Sequence, residues 1–307
     1  MSSRKLSDYF ILSLKGLAMG AADVVPGVSG GTIAFISGIY EELITTISNI
    51  NLSLFSVWKN EGFSAMWKKL NGNFIFALFS GILISVFTVM RLANYLLENH
   101  PILIWSFFFG LVLASVWFMA RQVPKWSKKT IFAFVFGAIV AFYITTLASI
   151  NSGDSLWYMF LAGAIAICAM ILPGISGAFI LVLLGAYKTI SAAIHDFDIK
   201  IILVFGLGTV VGLLSFSKAL KWLLTKHHSI TISLLTGFIA GSLNKIWPWK
   251  DVLETLTVGD KIIPIKEISV WPTHFNGDPL ILYSVLLMLF GFVLIFGLEK
   301  LAVNKTP

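Results

Sequence analysis

Two stretches of this sequence decide its fold, and both interrupt an apolar segment with proline and glycine. Residues 15–44 read KGLAMGAADVVPGVSGGTIAFISGIYEELI, and residues 171–190 read ILPGISGAFILVLLGAYKTI. Because proline lacks a backbone donor and clashes with the preceding helical turn, each helix is expected to stop before its Pro-Gly pair. The freed backbone groups cannot face lipid, so each break has to be buried in protein or line a cavity.

The composition indicates that these stretches lie in a membrane. Of 307 residues, 57% are hydrophobic and 12% are charged, about half the charged fraction of a soluble domain. The formal net charge of +7 is better explained by basic cytoplasmic loops than by a nucleic-acid partner. A single cysteine, Cys168, permits no internal disulfide and no cysteine-based metal site. GxxxxGK and HExxH motifs are absent, so we expect no cofactor, no metal and no catalytic residue.

Six further apolar stretches are long enough for ordinary membrane-spanning helices, which need about 20 residues. They are residues 73–97, 101–120, 129–150, 199–220, 229–247 and 280–298. The two broken segments, 12–47 and 156–194, are too long for one crossing, and the pieces beside each break are short for a full one. The chain therefore divides into a first repeat, 1–150, and a second repeat, 151–307, each with one broken segment and three helices.

The two halves also match in sequence. PGVSGG at 26–31 aligns with PGISGA at 173–178, and the alignment continues through their flanks. The matched pairs include Gly16 with Gly163, Tyr40 with Tyr187 and, after a small change of offset, Arg91 with Lys218 and Gly110 with Gly237. We infer an internal duplication; the alternative is chance similarity between glycine-rich apolar helices.

Loop charges predict the topology, because Lys and Arg accumulate in cytoplasmic loops. The loop 121–129 holds four basic residues and no acid, so we assign it to the cytoplasm. Both termini then fall inside, residues 12–47 form a re-entrant hairpin from the inside, and residues 156–194 form one from the outside. The polar stretch 250–278 falls outside. Because each half crosses the membrane three times, the second half has the opposite orientation to the first. This predicts an all-α integral membrane protein with inverted-topology repeats, as in secondary transporters. If residues 12–47 cross fully, the repeats are parallel instead.

The residues after each break predict an anion site. A serine stands where it can cap the second half-helix of each hairpin, and a helix N-terminus with free amides attracts anions. Two such N-termini from opposite faces would meet near the bilayer midplane and hold a phosphate or carboxylate. The alternative is that the glycines serve only close helix packing. The predicted substrate-binding residues are Ser29, Gly30, Gly31, Thr32, Ser176 and Gly177.

Five charged residues in or beside apolar segments are further candidates. Arg91 and Lys218 occupy matching positions late in their helices, where they either bind the anion or extend to the membrane interface. Asp23 precedes the first break and either carries a coupled proton or fixes the hairpin by accepting backbone hydrogen bonds. Glu41 and Glu42 follow at the foot of the hairpin, where they either take part in ion coupling or lie solvated at the membrane interface.

The two motifs quoted above resemble those of the bacterial polyprenyl-phosphate transporter family, and the similarity extends over essentially the whole chain. The resemblance implies a multi-pass protein of the bacterial plasma membrane that flips undecaprenyl phosphate, the lipid carrier of cell-wall synthesis, from the outer to the inner leaflet. Protons or sodium are the expected coupling ions. Ala178 and Phe179 stand in the second motif where Gly31 and Thr32 stand in the first, so the second half offers fewer polar groups.

The inverted topology predicted from the loop charges and the family resemblance together indicate a mechanism of alternating access. In it, the phosphate binds the two half-helix N-termini while the lipid tail stays in the bilayer. Two alternatives belong to other classes. One is a transporter or channel for a small anion, and the other is a membrane enzyme acting on a lipid phosphate. The enzyme needs a base beside its nucleophile, and Ser29 has no histidine near it in the sequence.

Overall fold

A computed structural model describes residues 4–24, 29–147, 155–258 and 261–303. The first predicted break, Pro26-Gly27, lies outside these residues. In the first half the helices are α1 (Leu6–Val24), α2 (Gly30–Ile36), α3 (Tyr40–Ser48), α4 (Ser53–Glu61), α5 (Phe63–Lys69), α6 (Gly72–Asn99), α7 (Pro101–Arg121) and α8 (Lys128–Thr146). In the second half they are α9 (Leu156–Ile171), α10 (Gly177–Leu183), α11 (Ala186–His195), α12 (Ile199–Lys226), α13 (His228–Ser242) and α14 (Ile281–Val303).

Several of these helices are suited to a bilayer, and the mostly helical membrane architecture is confirmed, with 79% of the structure helical. Within the described residues, four helices are long and apolar enough to cross a membrane, namely α6, α7, α8 and α12. The bent pair α10–α11, with 110° between its helices, is a fifth candidate. The 28 residues of α12 extend six beyond the predicted end at 220.

The helix predicted at 229–247 is shorter than expected. It ends at Ser242, and tight turns follow, in which the amide of Lys245 donates to the Ser242 carbonyl and that of Ile246 to Leu243. Pro248 lies just beyond; because proline disfavours a helical conformation at the residue before it, the helix cannot continue. The last residues of this apolar run therefore form a connection rather than part of a span.

The helix that opens each half lies parallel to the first long helix of that half. Along α1 and α6, Tyr9 approaches Asn73, Ser13 bonds Ser80 through their hydroxyls at 3.0 Å, and Gly20 faces Ser85. The positions rise together along both helices, so the chain between them returns to the side on which α1 begins. In the second half, α9 and α12 show the same order, from Phe160 beside Gly208 to Cys168 beside Gly212.

One reciprocal glycine contact recurs in four helix pairs of the described structure. In each pair, a glycine on one helix faces the carbonyl oxygen three residues before a glycine on the other, and the reverse also holds. The glycine pairs are Gly16 with Gly81 (α1–α6), Gly163 with Gly208 (α9–α12), Gly110 with Gly291 (α7–α14) and Gly137 with Gly237 (α8–α13). Such small residues let helix backbones approach closely in lipid. The glycines aligned by sequence thus make equivalent contacts in the two halves.

A β-hairpin departs from the all-helical expectation. Strands β1 (Lys250–Val258) and β2 (Lys261–Ser269) pair antiparallel within the stretch predicted to be an external polar loop. The segment is rich in Val, Ile and Thr, which favour strands. Trp247 and Trp249 fix the hairpin to its surroundings by donating from their indole nitrogens to the carbonyls of Val270 and Pro279, both at 2.8 Å.

The connection between α3 and α6 forms the two short helices α4 and α5 rather than an irregular loop. Large apolar side chains of this connection are exposed, among them Leu52, Phe55, Trp58 and Phe63. Lysines follow at Lys59 and in the last turn of α5. Basic residues beside exposed aromatic ones are typical of helices that lie in the membrane interface.

Candidate functional site

The N-terminus of α2 contacts the end of α9, so the two broken segments meet. The residues 29–32, called the first tip, begin with Ser29, which caps α2 by accepting from the Gly31 amide at 3.0 Å. The same hydroxyl donates to the carbonyl of Met170 at 3.2 Å. Thr32 accepts from the amide of Gly174 at 2.9 Å. The structure therefore brings the first tip into direct hydrogen-bond contact with the end of α9 and with Gly174 of the second Pro-Gly pair.

The amides of the first tip are bonded within their own hairpin. The Asp23 carboxylate accepts from the Gly30 amide at 2.6 Å, the Ser29 hydroxyl accepts from Gly31, and the Ser29 carbonyl accepts from the Thr32 amide at 2.8 Å. A Cβ on Gly30 would lie 2.6 Å from a carboxylate oxygen of Asp23, so a larger residue there would displace the carboxylate from the helix end. The Asp23 carboxylate thus lies where an external anion would bind this helix end.

The second tip, residues 176–179, has donors that find no acceptor in the part of the chain that the structure describes. The Ser176 hydroxyl caps α10 by accepting from the Phe179 amide at 3.4 Å, and within the described residues the amides of Gly177 and Ala178 have no hydrogen-bond acceptor. Gly174, with φ +85°, supplies the left-handed turn before it, and a Cβ there would lie 2.8 Å from the Phe238 carbonyl oxygen. Despite its less polar sequence, this tip offers the open amides.

The two predicted membrane cations lie on exposed faces and not at the tips. Arg91 is exposed on α6 and Lys218 on α12. Lys218 lines a cavity of about 290 Å³ with Ser48, Lys221, Trp222, Thr225 and Lys226. This cavity carries three ammonium groups on one face of α12, as expected for a surface that meets anionic headgroups.

The two glutamates predicted for ion coupling also lie away from the tips. Glu42 forms an ion pair with Arg4 and accepts from the Asn71 amide group at 2.9 Å. Glu41 contacts His228 at 2.8 Å between Oε1 and Nε2. Both contacts are at the foot of the first hairpin and tie α3 to other elements.

The two halves differ in how the last helix of each broken segment, α3 or α11, packs against the other half. Helix α3 packs along α12, where the Lys221 ammonium donates to Asn49 at 3.1 Å. The equivalent elements are α11 and α6, which make at most slight contact in the described structure. Among the described residues, the halves therefore contact each other through α3 and α12, without a comparable contact between α11 and α6.

A buried charge cluster was missed by sequence reasoning. Lys245 and Lys250 both contact one carboxylate oxygen of Glu267, at 2.8 and 3.7 Å. Burial lowers the pKa of Lys250 to about 8 although Glu267 opposes this, while Lys250 and Lys245 hold the pKa of Glu267 below its usual range against the effect of burial. Lys245 stands inside the apolar run 229–247, a signal that could have drawn attention to it.

The comparisons with known proteins identify the family. A family model described as undecaprenyl phosphate translocase-like matches residues 19–261, which is most of the chain. The chain belongs to this family. The resemblance inferred from the two motifs is thereby confirmed, and the translocase-like chain is a multi-pass membrane protein with several apolar helices.

Two relatives of this translocase-like chain support the assignment. A polyprenyl-phosphate transporter of Vibrio cholerae serotype O1 is 46% identical over 303 residues, covering 97% of this chain and 98% of the relative. A polyprenyl-phosphate transporter of Staphylococcus aureus is 33% identical over 256 residues, covering 76% of this chain and 85% of the relative. No solved structure gives a significant match.

Proposed function

We propose that this protein moves undecaprenyl phosphate from the outer to the inner leaflet of the bacterial plasma membrane, returning the carrier for cell-envelope synthesis. Family membership and the names of the two relatives support a polyprenyl phosphate as the substrate. The observation that supports the mechanism is the contact of the first tip with the end of α9 and with Gly174, two residues before the second tip, through Ser29 and Thr32. A lipid phosphate needs help only for its charged head, because its tail stays in the hydrocarbon.

The second tip supplies the first binding groups for the phosphate. The amides of Gly177 and Ala178, with the Ser176 hydroxyl beside them, are donors at a helix end, where the helix dipole favours an anion. The first tip becomes available when the Asp23 carboxylate leaves the Gly30 amide. Protonation of Asp23 would weaken that bond, because a neutral carboxyl accepts more weakly than a carboxylate. Proton uptake and phosphate binding would then be coupled at one residue.

Inverted repeats provide the change of access. The parallel order of α1 and α6 returns the chain to its starting side, and three single crossings would then give each half the opposite orientation. The predicted topology assigns the closed contact between α3 and α12 to the cytoplasmic face and the slight contact between α11 and α6 to the outside. On this assignment, the described conformation faces outward, and closure of α11 onto α6 accompanies release inward.

The exposed cations and the foot of the first hairpin have separate roles in this proposal. Arg91 and Lys218 meet the phosphate at the two membrane faces, before and after it reaches the tips. Glu41 holds the inner face closed through its contact with His228 of the second half, and Glu42 fixes the foot of the first hairpin through Arg4. Sodium at the two glutamates remains the alternative to a proton at Asp23 as the coupling ion.

Proteoliposomes containing a short-chain fluorescent polyprenyl phosphate test the proposal. The wild-type protein is expected to move the lipid between leaflets, measured as the fraction quenched by a membrane-impermeant reductant. Ser29→Ala removes both the cap and the bond to Met170, so we expect a rate about tenfold lower. Ser215→Ala is the matched control, since its exposed hydroxyl bonds only within α12.

Three outcomes separate the parts of the proposal. Failure of the wild-type protein to move the lipid refutes the function. Undiminished rates in both Ser29→Ala and Arg91→Ala refute the site assignment while leaving the function. Uptake of free inorganic phosphate in place of the lipid would favour a small-anion transporter.

A further inference from the structure

A buried cluster beside the second hairpin has no part in the mechanism above. It consists of the ammonium groups of Lys245 and Lys250 and the carboxylate of Glu267, with side chains only 13%, 8% and 15% exposed. Lys245 follows α13, Lys250 begins β1 and Glu267 lies on β2. The two lysines share one oxygen of one carboxylate, and Lys250 also donates to the Lys245 carbonyl. Among the described residues, this cluster therefore has two cations and one anion.

Aromatic rings and the second tip surround the two ammonium groups. The Lys245 nitrogen lies 4.6 Å from the ring centre of Phe179, and the Lys250 nitrogen lies 4.4 Å from that of Trp105. Phe179 is the third residue of α10, directly behind the open amides of Gly177 and Ala178. The cluster is therefore adjacent to the helix end proposed to receive the phosphate.

Two largely buried ammonium groups with one carboxylate are costly, since a buried ion loses solvation that incomplete pairing does not return. The depressed pKa of Lys250, about 8, agrees with a positive charge that lacks sufficient compensation. Rings offer partial stabilisation of a cation. A dianionic phosphate between the two lysines would compensate them more fully than one carboxylate does.

We propose that Lys245 and Lys250 form a binding site for the phosphate of a lipid monophosphate, and that Glu267 occupies this site until the lipid displaces it. The chemistry recognised is a phosphomonoester, whose doubly charged phosphate group takes the place of the Glu267 carboxylate. The bound phosphate then lies beside Phe179, the residue that follows the amides of Gly177 and Ala178 in the second tip. The inference rests on the proposed function for its substrate and for the outer face as the side of entry.

The β-hairpin is suited to such an exchange. Glu267 is held by Lys245 and Lys250 alone among the described side chains, while the hairpin itself is fixed at its base by Trp247 and by Ser269, whose hydroxyl bonds Asn244 at 3.0 Å. Loss of the carboxylate from the lysines therefore leaves the anchors of the hairpin in place. The simplest competing interpretation is that the cluster only anchors the hairpin.

Equilibrium binding of a short-chain polyprenyl phosphate to the full chain in nanodiscs separates the two interpretations. Under our proposal Glu267→Gln removes the competing carboxylate and tightens binding about tenfold, whereas Lys250→Gln weakens it about tenfold. Lys245→Gln weakens it similarly, and Lys250→Arg, which keeps the charge, restores most of the affinity. Lys200→Gln, at an exposed lysine beginning α12, leaves affinity unchanged.

The sign of the Glu267→Gln effect decides the matter. A cluster that only anchors the hairpin predicts weaker binding and a lower unfolding temperature for all three Gln variants, and this result would overturn the proposal. Competition by inorganic phosphate as strong as that by the lipid would overturn the assignment to a lipid. If wild-type protein moves no lipid but Glu267→Gln still binds it more tightly, the function fails and the site stands. If wild-type protein moves lipid and the Lys245 and Lys250 variants bind like wild type, this inference fails alone.

Discussion

Replacing Thr32 by valine should weaken the link between the two broken segments. Thr32 is 1% exposed, and its hydroxyl oxygen accepts from the Gly174 amide at 2.9 Å. Valine has nearly the same shape but no acceptor, so the Gly174 amide would stay buried without a partner. Such a group costs about 1–3 kcal/mol. With about 2–4 °C per kcal/mol for a chain above 150 residues, we expect the unfolding temperature to fall by about 2–12 °C.

Thr236→Val is the matched control. Thr236 is also fully buried, but its hydroxyl donates to the Ile232 carbonyl one turn earlier in the same helix, at 2.7 Å. That carbonyl retains its helical amide partner, so the substitution leaves no buried group unsatisfied and should cost less than about 1 kcal/mol. Thermal unfolding of both variants in the same detergent, followed by intrinsic fluorescence, gives the comparison. Equal losses in the two variants, or none for Thr32→Val, would refute the reasoning.

Three further predictions concern packing, coupling and closure. Gly110→Ala puts a methyl group into the Met288 carbonyl and should cost about 1–3 kcal/mol, while Gly206→Ala, with open space around it, should leave the unfolding temperature unchanged or slightly higher. Asp23→Asn keeps an acceptor for the Gly30 amide but cannot release a proton, so we expect lipid movement to lose its response to a pH gradient. The free energy of unfolding should fall by less than about 1 kcal/mol. A retained response to the gradient would assign proton coupling to another residue. His228→Gln removes an exposed pair worth less than about 1 kcal/mol, and should speed aqueous labelling of a cysteine introduced at Asn49; unchanged labelling argues against a closing role.

The spanning helices could be predicted because long apolar runs have few other uses. The ends of these helices could not be predicted, because polar residues that follow an apolar run do not by themselves end a helix. Helix α12 continues past 220 through Lys221 to Lys226, where lysines suit a helix C-terminus. The β-hairpin was missed because a polar, β-branched segment at a membrane face is compatible with a loop as well as with strands.

Some features of the candidate site could likewise be predicted from the sequence, and others could not. The serine caps followed from the motif, because capping depends on residues close in sequence. The sequence indicated that Asp23 could accept backbone hydrogen bonds, but it did not identify the Gly30 amide as the donor, because that contact depends on the three-dimensional path of the chain. Glu267 could not be connected with Lys245, since their contact depends on the register of a hairpin that hydrophobic periodicity did not reveal.

The reciprocal glycine contacts join eight of the described helices into four close pairs. Backbones packed against each other leave little room for sliding, so each of the four glycine-matched pairs should behave as one rigid body. Two pairs, α7–α14 and α8–α13, each join a helix of one half to a helix of the other, and so hold the halves together. The other two, α1–α6 and α9–α12, each stay within one half and each include the first helix of a broken segment. We infer that these two pairs rotate against the joined four helices, carrying one tip each, so that access changes without any of the four glycine-matched pairs having to separate.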